Sequence, residues 1–297
     1  MSGFYESKYK NVQATVSRRE GWYEQLKISP NANDNNGICT NSQFLAYIDQ
    51  AGSGCTVGVL PLASVGKNHV PLLAPSYQFP LIRGHSSAVT DIQFHQFCRT
   101  KILSCSSDST CKLWDIPEAG YIVDNTTAVL SMHMGQPLRG FAQHPLCEGL
   151  VALRSSKEIA LFDMASNKKL LATSADTLKG SEIHCAHWSF CGDALATTCK
   201  DKSLCLLDLR AGAAALCASA PCHSSTKVSR LCWLGDAPYL ATVGHNSLQE
   251  REVLLWDTRN LSAGHVQRER LDGSTGVVMP LFGISYPPTS HRRSANL

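Results

Sequence analysis

The sequence predicts an all-β fold: a β-propeller of four-stranded blades, incomplete, with about five recognisable blades plus the start of a sixth. Three observations carry that reading. KILSCSSDSTCKLWD, from residue 101, has relatives downstream in LVALRSSKEIALFD from 150, DALATTCKDKSLCLLD from 193 and YLATVGHNSLQEREVLLWD from 239. Each is an apolar run, a polar turn, a second apolar run and an Asp. Their anchors Trp114, Phe162, Leu207 and Trp256 follow one another at intervals of 48, 45 and 49 residues. A period near 45 with short strands and Gly, Asp and Ser turns is the mark of propeller blades, and helical repeats of similar length lack it.

Taken in order, a leader spans 1–35, the blades span 36–283 and a tail spans 284–297. The first blade, CTNSQFLAYIDQAGSGCTVGVLPL at 39–62, reaches its anchor near Leu60. The second to fifth blades reach theirs at Trp114, Phe162, Leu207 and Trp256, the last after a lengthened turn from Gly244 to Arg251. VVMPLF at 277–282 reads as the beginning of a sixth, whereas seven blades of such a period would need about 315 residues. The tail holds Pro287-Pro288, serines and Arg292-Arg293 without alternation, a composition that predicts disorder.

The second blade carries a histidine, a serine and an aspartate that invite a hydrolytic reading. Gly84-His85 precedes it, Ser104 lies four residues before Asp108, and Trp114 lies six after. A nucleophile would need an exposed oxygen, an oxyanion site and a pocket, and no Gly-x-Ser-x-Gly elbow accompanies Ser104. At these offsets the residues resemble instead the clasp of Trp-Asp (WD40) repeat propellers, in which His85, Ser104, Asp108 and Trp114 would satisfy one another inside a blade buried on both faces. Fragments recur as His223, Thr242, Asn246 and Trp256 in the fifth blade and as Thr197 and Asp201, with Leu207 replacing Trp, in the fourth. The third keeps almost none, with Ala152 and Ser156 at the polar positions.

Composition narrows the functional classes. Charged residues make up 17% and the formal net charge is +3, with Lys and Arg scattered. A nucleic-acid partner is therefore not expected. No apolar stretch approaches the roughly 20 residues of a membrane span, and the amino terminus has no apolar signal core. Thirteen cysteines, an odd number, sit in apolar runs such as Leu204-Cys205-Leu206, which fits buried thiols in a reducing, cytoplasmic compartment. Spacings such as Cys185 to Cys191, Cys199 to Cys205 and Cys217 to Cys222 are wider than a zinc knuckle uses. No metal, cofactor or enzymatic activity is expected.

The leader SKYKNVQATVSRREGWYEQLKIS at 7–29 and the first blade at 39–62 resemble the coronin family. The likeness continues through DSTCKLWDIPEAG at 108–120, CKDKSLCLLDLR at 199–210, EREVLLWDTRN at 250–260 and LDGSTGVVMPLF at 271–282. Arg18-Arg19-Glu20, Trp22 and Glu250-Arg251-Glu252-Val253 look closest to the long coronins with tandem propellers, and the chain departs from the family after residue 282. The resemblance implies a cytoplasmic, cytoskeleton-associated protein that binds actin filaments, and for the tandem type a role in Golgi or vesicle trafficking or with ubiquitin-ligase machinery. A peptide-recognition scaffold that recruits substrates to a ubiquitin ligase stays open beside it. Actin presents acidic surface, so Lys8, Lys10, Arg18, Arg19 and Lys27, interleaved with Trp22, are the candidate contacts. The family's basic residue near the end of the leader corresponds to Lys27, a lysine where an arginine is expected, which lacks the bidentate fork.

Overall fold

In the computed structural model, residues 18–23, 26–30, 35–65, 80–174, 178, 181–214 and 216–282 are described. Among these residues, twenty strands fall into five four-stranded antiparallel meanders. Blade 1 holds β1 (Ile38–Thr40), β2 (Phe44–Asp49), β3 (Thr56–Pro61) and β4 (Leu81–Arg83). Blade 2 holds β5 (Val89–Phe94), β6 (Lys101–Ser106), β7 (Thr110–Asp115) and β8 (Leu130–His133). Blade 3 holds β9 (Leu138–Gln143), β10 (Leu150–Ser155), β11 (Glu158–Asp163) and β12 (Lys168–Ser174). Blade 4 holds β13 (Ile183–Trp188), β14 (Leu195–Cys199), β15 (Ser203–Leu207) and β16 (Leu216–Pro221), and blade 5 holds β17 (Arg230–Trp233), β18 (Tyr239–His245), β19 (Arg251–Asp257) and β20 (His265–Arg270). All five anchors, Leu60, Trp114, Phe162, Leu207 and Trp256, lie on the third strand of their blade and are buried.

The apolar runs are continuous rather than alternating because each inner blade is covered on both faces. Successive side chains of a strand point to opposite sides. Ile102 therefore joins the core between blades 1 and 2 while Leu103 joins the one between blades 2 and 3. Further along, Cys205 serves the core between blades 3 and 4, and Leu204 and Leu206 the one between blades 4 and 5. The first strands β5, β9, β13 and β17 touch in succession and form the inner wall. Indole N–H groups tie that wall together: Trp188 donates to the Ala142 carbonyl and Trp233 to the His187 carbonyl, each at 3.1 Å. Six of the thirteen cysteines are buried as core residues, whereas Cys147, Cys191 and Cys217 are exposed; burial pushes the thiol of the half-buried Cys222 up to about 12.

Blade 5 differs. Along β19 burial alternates, with Glu252, Leu254 and Trp256 inside and Val253 and Leu255 half-buried, and β20 is exposed throughout. Among the described residues no further sheet lies on its far face. Val277–Phe282, the expected start of a sixth blade, forms no strand, and Met279 to Phe282 line the central cavity instead. The expected tail lies outside the described residues.

Candidate functional site

The clasp of blade 2 closes completely. His85 sits just before β5, Ser104 on β6, Asp108 in the β6–β7 turn and Trp114 on β7. The His85 Nδ1 pairs with Asp108 Oδ2 at 2.9 Å, its Nε2 with Ser104 Oγ at 2.8 Å, and the Trp114 indole donates to the same Oγ at 2.8 Å. Asp108 also accepts the Ser86 N–H, the Thr110 N–H and the Thr110 hydroxyl. Burial alone would raise its carboxyl. Hydrogen bonds from His85 and Thr110, the His85 charge and the Ser86 N–H outweigh that and hold it below the usual carboxylate range. Ser104 is 1% exposed and its oxygen is engaged twice, so no substrate carbonyl reaches it. Gly84 is needed for close approach: a Cβ there would stand 2.4 Å from the Trp114 ring.

The other two clasps are corrected by the structure. In blade 5 the Trp256 indole donates to Thr242 Oγ1 at 2.9 Å as expected. Asn246, however, does not meet His223. Its Oδ1 accepts the Leu248 and Glu250 N–H groups and its Nδ2 donates to Glu250, so it caps its own turn. The reason is length: five residues separate β18 from β19, against three between β6 and β7. The acid comes instead from Glu252 on β19, whose Oε1 lies 2.9 Å from His223 Nδ1 and whose Oε2 is held by Arg268 at 2.6 Å. His223 Nε2 has no hydrogen-bond partner among the described residues. Burial lowers the His223 imidazole, and Glu252 offsets this only in part.

In blade 4 Asp201 caps its own turn by accepting the Ser203 hydroxyl at 2.5 Å and the Ser203 N–H at 3.1 Å. Thr197 is buried with its Oγ1 unpartnered among the described residues, because Leu207 has no side-chain N–H to offer where the other clasps have an indole. Among the described residues no clasp forms there.

The leader places Arg18, Arg19 and Trp22 on one tight turn, in which the Gly21 N–H donates to the Arg18 carbonyl at 2.8 Å and the Trp22 N–H to Arg19 at 3.1 Å. Both arginines are exposed and Trp22 is 48% exposed. The next residue anchors the turn: the Tyr23 hydroxyl donates to the Leu62 carbonyl at 2.9 Å. Lys27 stands on a separate stretch fixed along β2, where the Gln50 N–H donates to the Lys27 carbonyl at 2.7 Å and Ile28 bridges Asp49. Its side chain faces solvent. Lys8 and Lys10 lie outside the described residues.

Four residues that the motifs did not single out meet at the propeller axis. Asn35, between the leader and β1, accepts on Oδ1 from Arg154 Nη2 at 3.1 Å and from Arg230 Nη1 at 2.9 Å. Its Nδ2 donates to the Thr90 carbonyl at 3.0 Å and to that of Arg139. Arg154 also donates to the Ile183 and Arg139 carbonyls, at 2.8 and 2.9 Å. Asp91 lies in the same wall, and burial pushes its carboxyl up to about 7 even against the charges of Arg230 and Arg154. The signal was present: Arg154 follows the apolar run of β10 and Arg230 opens the apolar β17, where a buried charge must be satisfied. Among the described residues no group of His, Cys, Asp and Glu gathers as a metal site, and no helix is long and apolar enough to cross a membrane.

Residues 2–67 match a family model described as a domain of unknown function, DUF1899, and residues 77–115 and 169–208 match the WD domain, G-beta repeat. A coronin-like protein of Saccharomyces cerevisiae is 32% identical over 95% of this chain and 44% of its own length. Coronin-7 of Bos taurus is 31% identical over 95% of this chain and 29% of its own, and Coronin-2B of Homo sapiens 30% over 94% and 56%. The chain thus spans between under a third and just over half the length of these relatives. Among solved structures, the WD40 domain of Toxoplasma gondii coronin superposes with a TM-score of 0.78 at 24% identity, covering 89% of this chain and 65% of that one.

Proposed function

We propose that this chain, which belongs to the coronin family, is a non-enzymatic adaptor that binds actin filaments through the basic residues of its leader. The supporting observation is that Arg18, Arg19 and Lys27 are exposed on backbone that Tyr23, Lys27 and Ser29 tie to blade 1. A cation held on a rigid support loses less freedom on binding than one on a loose tail. Trp22 beside the arginines adds an apolar anchor of the kind interfaces favour. Lys8 and Lys10 extend the same charge in sequence. The reading places the protein in the cytoplasm on the cytoskeleton, with Golgi or vesicle trafficking as a finer assignment.

The test is co-sedimentation with actin filaments of the wild-type chain and of an Arg18→Glu, Arg19→Glu, Lys27→Glu variant, after both are shown to elute as folded monomers. The reading expects wild-type pelleting that weakens with salt and falls about tenfold or more in the variant. Equal pelleting by both chains removes the proposed surface. Capture of ubiquitin-ligase subunits without actin would move the assignment to a substrate-recruiting scaffold.

A further inference from the structure

The first strands β5, β9, β13 and β17 run round the axis in one direction, so the turns that follow them gather on one face of the disc. Side chains stitch these turns together. Gln143 Nε2 donates to the Phe94 carbonyl at 2.8 Å and its Oε1 accepts the Gln96 N–H at 3.1 Å, and His144 Nε2 lies 3.0 Å from the Gly192 carbonyl. In blades 2 and 3 a histidine also closes the turn on itself: His95 Nδ1 accepts the Phe97 and Cys98 N–H groups, and His144 Nδ1 those of Leu146 and Cys147. Blade 4 closes its turn with Ser189, which donates to Asp193 at 2.5 Å and accepts the Ala194 N–H.

The tips of these three turns are apolar and face solvent. Phe97 is 48% exposed, Leu146 65% and Phe190 45%. In blade 5 the tip is Gly235, where φ is +68° and a Cβ would stand 3.0 Å from the Phe282 ring; the exposed Phe282 takes the fourth place in the arc. Leu146, Phe190, Leu281 and Phe282 also line the axial cavity of about 600 Å³, whose wall holds Phe94, Phe141, Trp188 and Trp233. Large apolar side chains on fixed backbone, bare to solvent around an apolar cavity, form an interaction surface.

Two features define what fits it. The chain lays its own Met-Pro-Leu-Phe, residues 279–282, against this cavity, and residues 275–282 make no hydrogen bond among the described residues. Side-chain contact alone therefore holds a short apolar segment there. The second feature is charge: exposed Glu148, Asp193 and Asp236 stand in the turns of blades 3, 4 and 5, and those turns, 144–149, 189–194 and 234–238, hold no Lys or Arg. The blade 2 turn carries Arg99, so the acidic part of the arc lies over blades 3 to 5. Arg210 and Arg259, at the ends of the third strands, are each taken up by the Asp beside them, Asp208 and Asp257. A second copy of the same face would set like charges against one another.

We propose that this face docks a segment of a partner protein that carries two or more large apolar side chains, Leu, Met or aromatic, flanked by Lys or Arg. The apolar side chains cover Phe97, Leu146, Phe190 and Leu281 at the cavity, and the cations meet Glu148, Asp193 and Asp236. The surface uses no residue of the leader, so it stands or falls independently of filament binding.

The test uses the full chain and a blocked, fluorescently labelled peptide, Lys-Lys-Met-Pro-Leu-Phe-Lys-Lys, followed by anisotropy and by the tryptophan emission of the protein, since Trp188 and Trp233 line the cavity. Two control peptides replace the lysines by Glu, or Met, Leu and Phe by Ser. The proposal expects saturable binding of the first peptide that is about tenfold or more weaker for each control. A Phe97→Ser, Leu146→Ser, Phe190→Ser variant changes exposed side chains only, should melt as wild type, and should bind about tenfold or more weakly. Glu148→Lys with Asp236→Lys should also weaken binding, whereas Arg18→Glu, Arg19→Glu, Lys27→Glu should leave it unchanged. Absence of saturation, equal binding of the Glu-flanked peptide, or wild-type affinity in the triple Ser variant overturns the proposal. Sedimentation velocity supplies the remaining outcome: a dimer of the chain that the triple Ser variant abolishes assigns the face to a second copy and overturns the partner.

Discussion

Replacing Ser104 by Ala separates a structural clasp from a catalytic triad, because the two readings predict opposite effects on stability. The lost Oγ is the acceptor of the Trp114 indole and the partner of His85 Nε2, both at 2.8 Å and inside a region excluded from water. Each buried group left unpaired costs about 1–3 kcal/mol, so the substitution should cost about 2–5 kcal/mol. Thr242→Val is the internal scale. It removes one strong contact, the Trp256 indole, and a weak one from the Cys222 thiol, and should cost about 1–3 kcal/mol. Equilibrium urea unfolding followed by tryptophan fluorescence measures both. If Ser104→Ala stays within about 0.5 kcal/mol of wild type, the range of an ordinary surface change, the clasp argument fails. A Thr242→Val cost larger than that of Ser104→Ala would refute the counting of contacts behind it.

Two further outcomes follow from the same geometry. Gly84→Ala should push the Trp114 ring aside and cost about 1–3 kcal/mol, seen as a changed tryptophan signal in near-ultraviolet dichroism, and should cost little in a Trp114→Phe background; an equal cost in both backgrounds would show the ring is not the obstacle. Asp91→Asn tests the axial wall: the unfolded carboxyl titrates near about 4 and the folded one at about 7. The folded state therefore holds the proton longer, and the contribution of Asp91 is full below about pH 4 and is lost as pH rises to about 7. Wild type should lose stability relative to Asp91→Asn across that window, and parallel profiles would contradict the burial argument.

The blades were legible because period, turn residues and buried anchors are local features, and each of Leu60, Trp114, Phe162, Leu207 and Trp256 falls at the same place in its sheet. The blade 2 clasp was legible for the same reason, since its four members keep fixed offsets around one short turn. The fifth-blade clasp was misread at Asn246 because the turn is longer, and a carboxylate two residues beyond it, Glu252, can reach back along the strand. No spacing rule contains that reach. The axial group escaped for a different reason. Asn35, Arg154 and Arg230 meet across 119 and 195 residues of chain, and only closure of the blades around an axis brings them together. The sequence sign was weaker: an arginine where an apolar residue was due.

The proposed filament-facing surface is the leader, held against blade 1. Amide hydrogen exchange of the chain alone and bound to actin filaments tests it most directly. The account predicts slowed exchange at residues 18–23 and 26–30 on binding, with β20 and the β18–β19 turn unchanged. Protection confined to blade 5, or no protection anywhere at saturating filament, would contradict it.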